Sequence, residues 1–205
     1  MIRNLIFDWS GTLVDDVELV LYATNTALVK NGGRSLSLEE FKNTYKLPYS
    51  SFYADILPEV SFSSLDNAFK FAITSKNIQV KLCPHVLDFL NLCQQRQICC
   101  FILSSVNSET FLIQSNHFRI RTFFSKIYTD VIDKRIILKN LIEENHLNKL
   151  ETAFIGDMVH DIESAQNERI TSIAVLTGYQ NAKKLAQQKP DIIIKDLKSL
   201  QKILF

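Results

Sequence analysis

Four short apolar runs stand out along the chain: Leu5-Ile6-Phe7, Ile98 to Leu103, Ala153-Phe154-Ile155 and Ser172 to Leu176. Each is flanked by turn-prone or polar residues, and amphipathic stretches of helical period lie between them, so each reads as a buried strand. A fifth run, Asp191-Ile192-Ile193-Ile194, follows Pro190 and reads as a strand near the sheet edge. Helices are predicted over 85–96, 108–116, 135–146, 161–167, 181–188 and 196–203. Strands alternating with helices imply a parallel sheet with helices on both faces.

The stretch from Asp16 to Val80 breaks this rhythm. Leu19, Leu21, Tyr22, Ala27, Leu28 and Val29 fall at mostly helical spacing until Asn31-Gly32-Gly33 stops the helix. Ser37-Leu38-Glu39-Glu40 has the form of a helix start, with Glu40 three residues after a capping Ser37. Pro48 and Pro58 punctuate the next twenty-odd positions, and Leu65 to Lys76 reads as another helix. No strand is evident there. The pattern predicts a helical insertion placed after the first strand.

Composition narrows the class. The chain has 205 residues, 46% apolar and 22% charged, which suits one soluble globular domain with a small insertion. Lys and Arg number 23 against 22 Asp and Glu, so the basic excess of a nucleic-acid binder is missing. A small, locally recognised ligand is the better expectation. No run of 18 apolar residues is present to span a membrane, and the short apolar run Leu5-Ile6-Phe7 before Asp8 is too short for a signal-peptide core. The four cysteines, Cys83, Cys93, Cys99 and Cys100, lack the spacing of a zinc site and read as buried, reduced thiols of a cytoplasmic protein.

In an open parallel sheet, ligands bind at the carboxyl ends of the strands. There the sequence places Asp8-Trp9-Ser10-Gly11-Thr12, then Ser104-Ser105, then Gly156-Asp157 with Asp161 four residues on. A carboxylate at Asp8 can act as a nucleophile, or simply form a turn. The loop after it can present backbone N–H groups to an anion, with Gly11 permitting close approach. Asp157 and Asp161, at i and i+4, share a face if both are helical, and a hard divalent cation would relieve their repulsion. A helix N-cap at Asp157 is the plainer alternative. Ser104 suits a phosphate oxygen or a helix cap. Lys134 suits phosphate neutralisation or solvent.

Taken in order, these segments resemble the haloacid-dehalogenase-like (HAD) superfamily of phosphohydrolases. Leu5 to Asp15 is similar to its first motif, Ile102-Leu103-Ser104-Ser105 to the second, Lys134 to the third, and Ile155-Gly156-Asp157 with Asp161-Ile162 to the fourth. The tail, Ile173 to Tyr179 and then Pro190-Asp191, is similar to phosphoglycolate-phosphatase-like members. The resemblance implies a Rossmann-like α/β core over 1–15 and 81–205, with a helical cap over 16–80. It implies that Asp8 attacks phosphorus and that Mg²⁺ is held by Asp8, the Ser10 carbonyl and Asp157, supported by Asp161. Thr12, Ser104, Ser105, Gly11 and Lys134 would surround the phosphoryl group of a small phosphorylated substrate, with Lys139 the alternative lysine. A monomer or homodimer, with no nucleic-acid or membrane partner, is the matching expectation.

The motif departs from the pattern at one place. Phosphatases of this superfamily read Asp-x-Asp, the second Asp protonating the leaving alcohol and then activating water, and here that place is Ser10. A hydroxyl cannot substitute directly, and loss of such a group costs about 10²–10⁴-fold. Phosphonoacetaldehyde-hydrolase-like members carry a small residue there and use a cap lysine as a Schiff base, for which Lys42 and Lys46 are the candidates. A non-catalytic phosphometabolite binder is a further alternative. The aromatic residues of the insertion (Phe41, Tyr45, Tyr49, Phe52, Tyr53, Phe62, Phe69, Phe71) read as packing, and His160 as a surface residue.

Overall fold

The apolar runs assemble into one six-stranded sheet in the computed structural model, which describes residues 1–75 and 79–204. The chain opens with β1 (Asn4–Phe7), β2 (Val14–Asp15), α1 (Val17–Lys30), α2 (Leu38–Thr44), α3 (Tyr49–Ile56) and α4 (Phe62–Ser75). It continues through β3 (Lys81–Leu82), α5 (Val86–Gln95), β4 (Cys99–Leu103), α6 (Ser108–His117), β5 (Phe124–Tyr128) and α7 (Lys134–Glu144). It closes with β6 (Thr152–Gly156), α8 (Val159–Glu168), β7 (Thr171–Val175), α9 (Ala182–Gln187), β8 (Ile192–Ile194) and α10 (Leu197–Leu204). The strand order is β5-β4-β1-β6-β7-β8, and every neighbouring pair is parallel.

Alternation along the strands divides the core into two layers. Leu5, Phe7, Cys100, Ile102, Ala153 and Ile155 point to one face and pack with Phe89 and Leu90 of α5 and Leu200 of α10. Ile6, Phe101, Leu103 and Phe154 point to the other and meet Leu138, Leu141 and Ile142 of α7. Both faces are thus covered by helices. That is why these strands read as unbroken apolar runs rather than as alternating ones.

One strand of the sheet was not expected. β5 is an edge strand whose burial runs from buried Phe124 through exposed Ser125 and Lys126 to half-buried Ile127 and Tyr128. A strand covered so unevenly leaves no continuous apolar signal. Cys99 also differs from expectation, since it is exposed at the entry to β4 while the other three free thiols are buried. The predicted edge position of the Ile192–Ile194 strand is the one found.

Helices α1 to α4 build a core of their own from Val17, Ala27, Leu28, Phe41, Phe52 and Leu65, which Met158 and Tyr179 join from outside the segment. The Ser37 cap forms as the spacing suggests: the Glu40 N–H donates to Ser37 Oγ at 3.2 Å, and the Ser37 N–H donates to Glu40 Oε2 at 2.8 Å. Phe41, Phe52 and Tyr53 are buried, whereas Tyr49, Phe62 and Phe71 are exposed, so packing accounts for only part of the aromatic set. Lys76, the expected end of α4, lies outside the described residues. The two chain crossings into this segment run side by side as an antiparallel pair, Val14 opposite Leu82 and Asp15 opposite Lys81. Among the described residues no helix is long and apolar enough to cross a membrane.

Phe7 is fully buried, with Phe89 and Phe124 edge-on at 6.3 and 6.4 Å. Phe7→Ala is expected to cost about 3–5 kcal/mol, read as a lowered midpoint in guanidinium unfolding followed by far-UV circular dichroism. A loss under about 1 kcal/mol would contradict the two-layer core around β1.

Candidate active site

The carboxyl ends of the central strands meet at one edge of the sheet. Asp8 follows β1, Ser104 follows β4 and Asp157 follows Gly156 at the end of β6, while the first turn of α8 supplies Asp161. Carboxylate oxygens of Asp8, Asp157 and Asp161 lie within 4.8 Å of one another, and all three residues are buried. Lys134 is fully buried among them, its Nζ 2.9 Å from Asp8 Oδ2 and 2.6 Å from Asp161 Oδ1. It is the first residue of α7 rather than the residue before it. Lys139 lies further along α7 with a largely exposed side chain, 3.9 Å from Glu143.

Each acid is held by donors from elsewhere in the chain. Thr12 Oγ1 donates to Asp157 Oδ1 at 2.9 Å, and the Tyr179 N–H donates to Asp157 Oδ2 at 2.7 Å. Asp157 is therefore neither a helix cap nor a helical neighbour of Asp161. The capping position of α8 belongs to Met158, and the turn between them brings the carboxylates together, with Asp161 Oδ2 accepting from the Met158 N–H at 3.0 Å. Glycines leave the room. A Cβ on Gly11, which sits at φ +76°, would lie 2.5 Å from Asp157 Oδ2, and one on Gly178 or Gly156 would overlap Asp157 or Asp161.

The charge balance is set by burial. Burial raises the pKa of Asp8, with Lys134 opposing it. Asp157 is pushed well above the usual carboxylate range by burial and then by its neighbours Asp8 and Asp161. Burial alone would lower Lys134, but Asp161 and Asp8 more than reverse that and hold it as an ammonium. If all three acids were ionised, the single Lys134 ammonium would leave two negative charges uncompensated. An all-oxygen donor set with that deficit fits a hard divalent cation.

The loop after Asp8 behaves differently from the anion cradle expected of it. The N–H groups of Thr12, Leu13 and Val14 all donate to the Trp9 carbonyl, and that of Gly11 donates to the Val14 carbonyl. The Trp9 N–H donates to Asp8 Oδ1 at 2.7 Å. Gly11 thus makes room and Thr12 orients Asp157. Ser104 is buried with its hydroxyl in reach of Asp8, and it does not cap α6, whose cap is Asn107. Ser105 Oγ is buried without a hydrogen-bond partner among the described residues. Leaving such a hydroxyl unpaired costs about 1–3 kcal/mol, which a bound acceptor would remove.

Known proteins resemble this chain over nearly its whole length. The family described as haloacid dehalogenase-like hydrolase matches residues 5–175. The chain belongs to the haloacid dehalogenase-like hydrolase family. It is 25% identical to the phosphoglycolate phosphatase of Synechococcus elongatus over 202 residues, covering 94% of this chain and 92% of that protein. It is 26% identical to the pyrophosphatase PpaX of Oceanobacillus iheyensis over 204 residues, covering 97% and 95%. A predicted phosphatase from Clostridium acetobutylicum superposes with a TM-score of 0.87 at 17% identity, covering 100% of this chain and 99% of that one. A haloacid dehalogenase-like hydrolase from Streptococcus pneumoniae gives 0.82 at 21%, covering 98% of each chain. At those identities the structural likeness is one of fold.

Within this haloacid dehalogenase-like site, three residues were missed by sequence reasoning. His160 is buried rather than superficial, and its Nε2 accepts from the Lys134 N–H at 3.1 Å; burial and the Lys134 charge lower its pKa and keep it neutral. Asp16 is buried and accepts from Ser10 Oγ at 2.7 Å and from the Tyr179 hydroxyl at 2.8 Å. Burial pushes Asp16 up to about 6 against those two hydrogen bonds. The signal that marked Asp8, an acid directly after an apolar run, points here to the exposed Asp15 after Leu13-Val14 and not to the buried Asp16 beside it. Nothing in the spacing marked Tyr179 or His160. Of the two candidate Schiff-base lysines, Lys46 is ion-paired with Asp55 at 2.6 Å on the surface and Lys42 is half-buried on α2.

Lys134→Met is expected to destabilise the fold by about 3–5 kcal/mol, because it leaves two buried carboxylates without their cation. Thermal and denaturant unfolding check this. A loss comparable to that of the exposed Lys139→Met would mean the buried pairs do not form.

Proposed function

We propose that this chain is a Mg²⁺-dependent phosphohydrolase acting on a small phosphorylated metabolite through an aspartyl-phosphate on Asp8. The observation that carries the reading is the buried cluster in which Asp8 faces Asp157, Asp161 and the Lys134 ammonium at the carboxyl edge of the sheet. Asp8 and Asp157 would hold the cation, with Asp161 and the Ser10 carbonyl in support. When bound, the cation supplies charge neutralisation and orients the phosphoryl group toward Asp8.

The chain's own residues supply the rest. An Asp8 oxygen attacks phosphorus and the ester oxygen departs, leaving an acyl phosphate that water then cleaves. Lys134 has three N–H donors, of which Asp8 and Asp161 take two, so one remains for a phosphoryl oxygen. Ser104 and Ser105 offer hydroxyls to the same group. Helices α1 to α4 act as a cap that selects the leaving group, and Tyr45, directly after α2, stacks on Tyr179 at 5.2 Å beside the site. The names of the two relatives, a phosphoglycolate phosphatase and a pyrophosphatase, support a small phosphorylated substrate. The surface ion pair of Lys46 does not favour a Schiff-base reaction.

The test is phosphate release from a panel of alkyl, aryl and acyl phosphates and phosphonoacetaldehyde, with Mg²⁺ or EDTA, on the native chain and on Asp8→Asn. Release is expected to need both the metal and Asp8. Turnover independent of either would sink the mechanism, and ligand binding without turnover would make the chain a phosphometabolite binder. Binding that is restricted to the folded state also raises stability, by about 2.7 kcal/mol at a hundredfold excess over Kd. Saturating Mg²⁺ is therefore expected to raise the melting temperature of the native chain, and of Asp157→Asn far less.

A further inference from the structure

The first turn of α8 carries Asp161, yet the residue that begins that helix offers it no ordinary cap. Met158 brings no hydroxyl, amide or carboxylate to the N–H groups that a helix start leaves unpaired. The Val159 N–H finds its acceptor 21 residues away, in Gln180 Oε1 at 2.7 Å. The same amide turns its nitrogen to the helical segment, where Gln180 Nε2 donates to the Tyr45 carbonyl at 2.9 Å. Tyr45 closes α2, so its carbonyl is one of the unpaired acceptors of that helix's last turn. Gln180 is buried, and only one orientation of its amide satisfies both partners. Its oxygen thus lies at the positive end of one helix and its nitrogen at the negative end of another. Beside it, Lys184 Nζ donates to the Asn43 and Tyr45 carbonyls, each at 3.1 Å, and the Asn181 side-chain amide donates to Asn43 Oδ1.

We propose that Gln180 is a positioning residue that couples the seat of α2 to the turn carrying Asp157 and Asp161. A cation held by those acids then steadies the helical segment, and the seated segment in return favours the cation, because coupling between two sites is reciprocal. This rests on the phosphohydrolase reading above, in which Asp157 and Asp161 serve the metal. Val159 lies between the two acids in the chain, and Tyr179, the residue before Gln180, holds Asp157 through its N–H at 2.7 Å. Displacing α2 from the sheet must break the bond from Gln180 to Tyr45 or draw the amide oxygen off Val159. Lys184 grips the same end of α2 from α9, and among the described residues it makes no bond to the acid-bearing turn. It secures the segment without coupling it. Gln180 acts through the backbone of α8 and touches neither the carboxylates nor the phosphoryl group.

Reciprocity makes the coupling measurable without turnover. Hydrogen exchange over residues 38–47 is followed by mass spectrometry, relative to residues 86–95 of α5 so that a global loss of stability cancels. In the native chain that exchange is expected to slow by at least about fivefold on saturation with Mg²⁺ at constant ionic strength. In Gln180→Met the Mg²⁺ response should vanish, and calorimetry should show Mg²⁺ affinity lowered by at least about fivefold, the same coupling read from the other site. Lys184→Met is the comparison: its exchange over 38–47 should be faster throughout, with the Mg²⁺ response and affinity within about twofold of native. Gln180→Asn keeps the amide but is one methylene too short to reach both helix ends. It should behave as Gln180→Met does, and it carries the test if that variant does not fold. A Mg²⁺ response kept in full by Gln180→Met, or lost equally in Lys184→Met, would overturn the coupling while leaving the metal site intact. Mg²⁺ binding to the native chain with no slowing over 38–47 would do the same. A native chain that binds no Mg²⁺ by calorimetry would overturn both the coupling and the reading beneath it.

Discussion

Three carboxylates confined within 4.8 Å in a buried pocket repel one another, and much of the molecule is arranged around that repulsion. At the effective dielectric of a protein site, each like-charged pair at that separation costs on the order of 3 kcal/mol. Lys134 answers two of the acids directly, and Thr12 with the Tyr179 N–H answers the third. None of these groups neighbours its acid in sequence, so the cluster exists only when the sheet is complete. The deficit of positive charge that remains suits the pocket to a hard divalent cation.

The sheet and the helical segment are tied at the same residues that orient the acids. Tyr179 donates its N–H to Asp157 and its hydroxyl to Asp16, and its ring belongs to the core of α1 to α4. Met158 likewise packs into that core while its N–H holds Asp161. The helical segment is thus bonded to the geometry of the acids, and a shift of its core is felt at the carboxylates.

What could be read in the sequence divides along physical lines. The central strands were legible because burial on both faces writes an uninterrupted apolar run, and the Ser37 cap because its donors and acceptors are three residues apart. β5 was not, because an edge strand shares its burial unevenly. Asp8, Ser104, Lys134, Asp157 and Asp161 were nominated by their places after strands and by family resemblance, and the structure brings them together. The direction of a side chain, by contrast, has no sequence signature. Asp16 could have capped α1, and only tertiary structure turns it toward Ser10. His160 lies in an ordinary helix start, and its burial depends on α7, far away in the chain.

The parallel pairing of β1 has a consequence for the order in which the chain can fold. β1 is complete at Phe7, yet the strands on its two sides begin only at Cys99 and Thr152. This central strand therefore finds neither of its neighbours nearby in sequence, and both pairings must close long loops. Contacts so distant in sequence make for slow closure and prolonged exposure of strand edges. Asp8 is fixed to the end of that strand, so it is among the last residues to gain its surroundings.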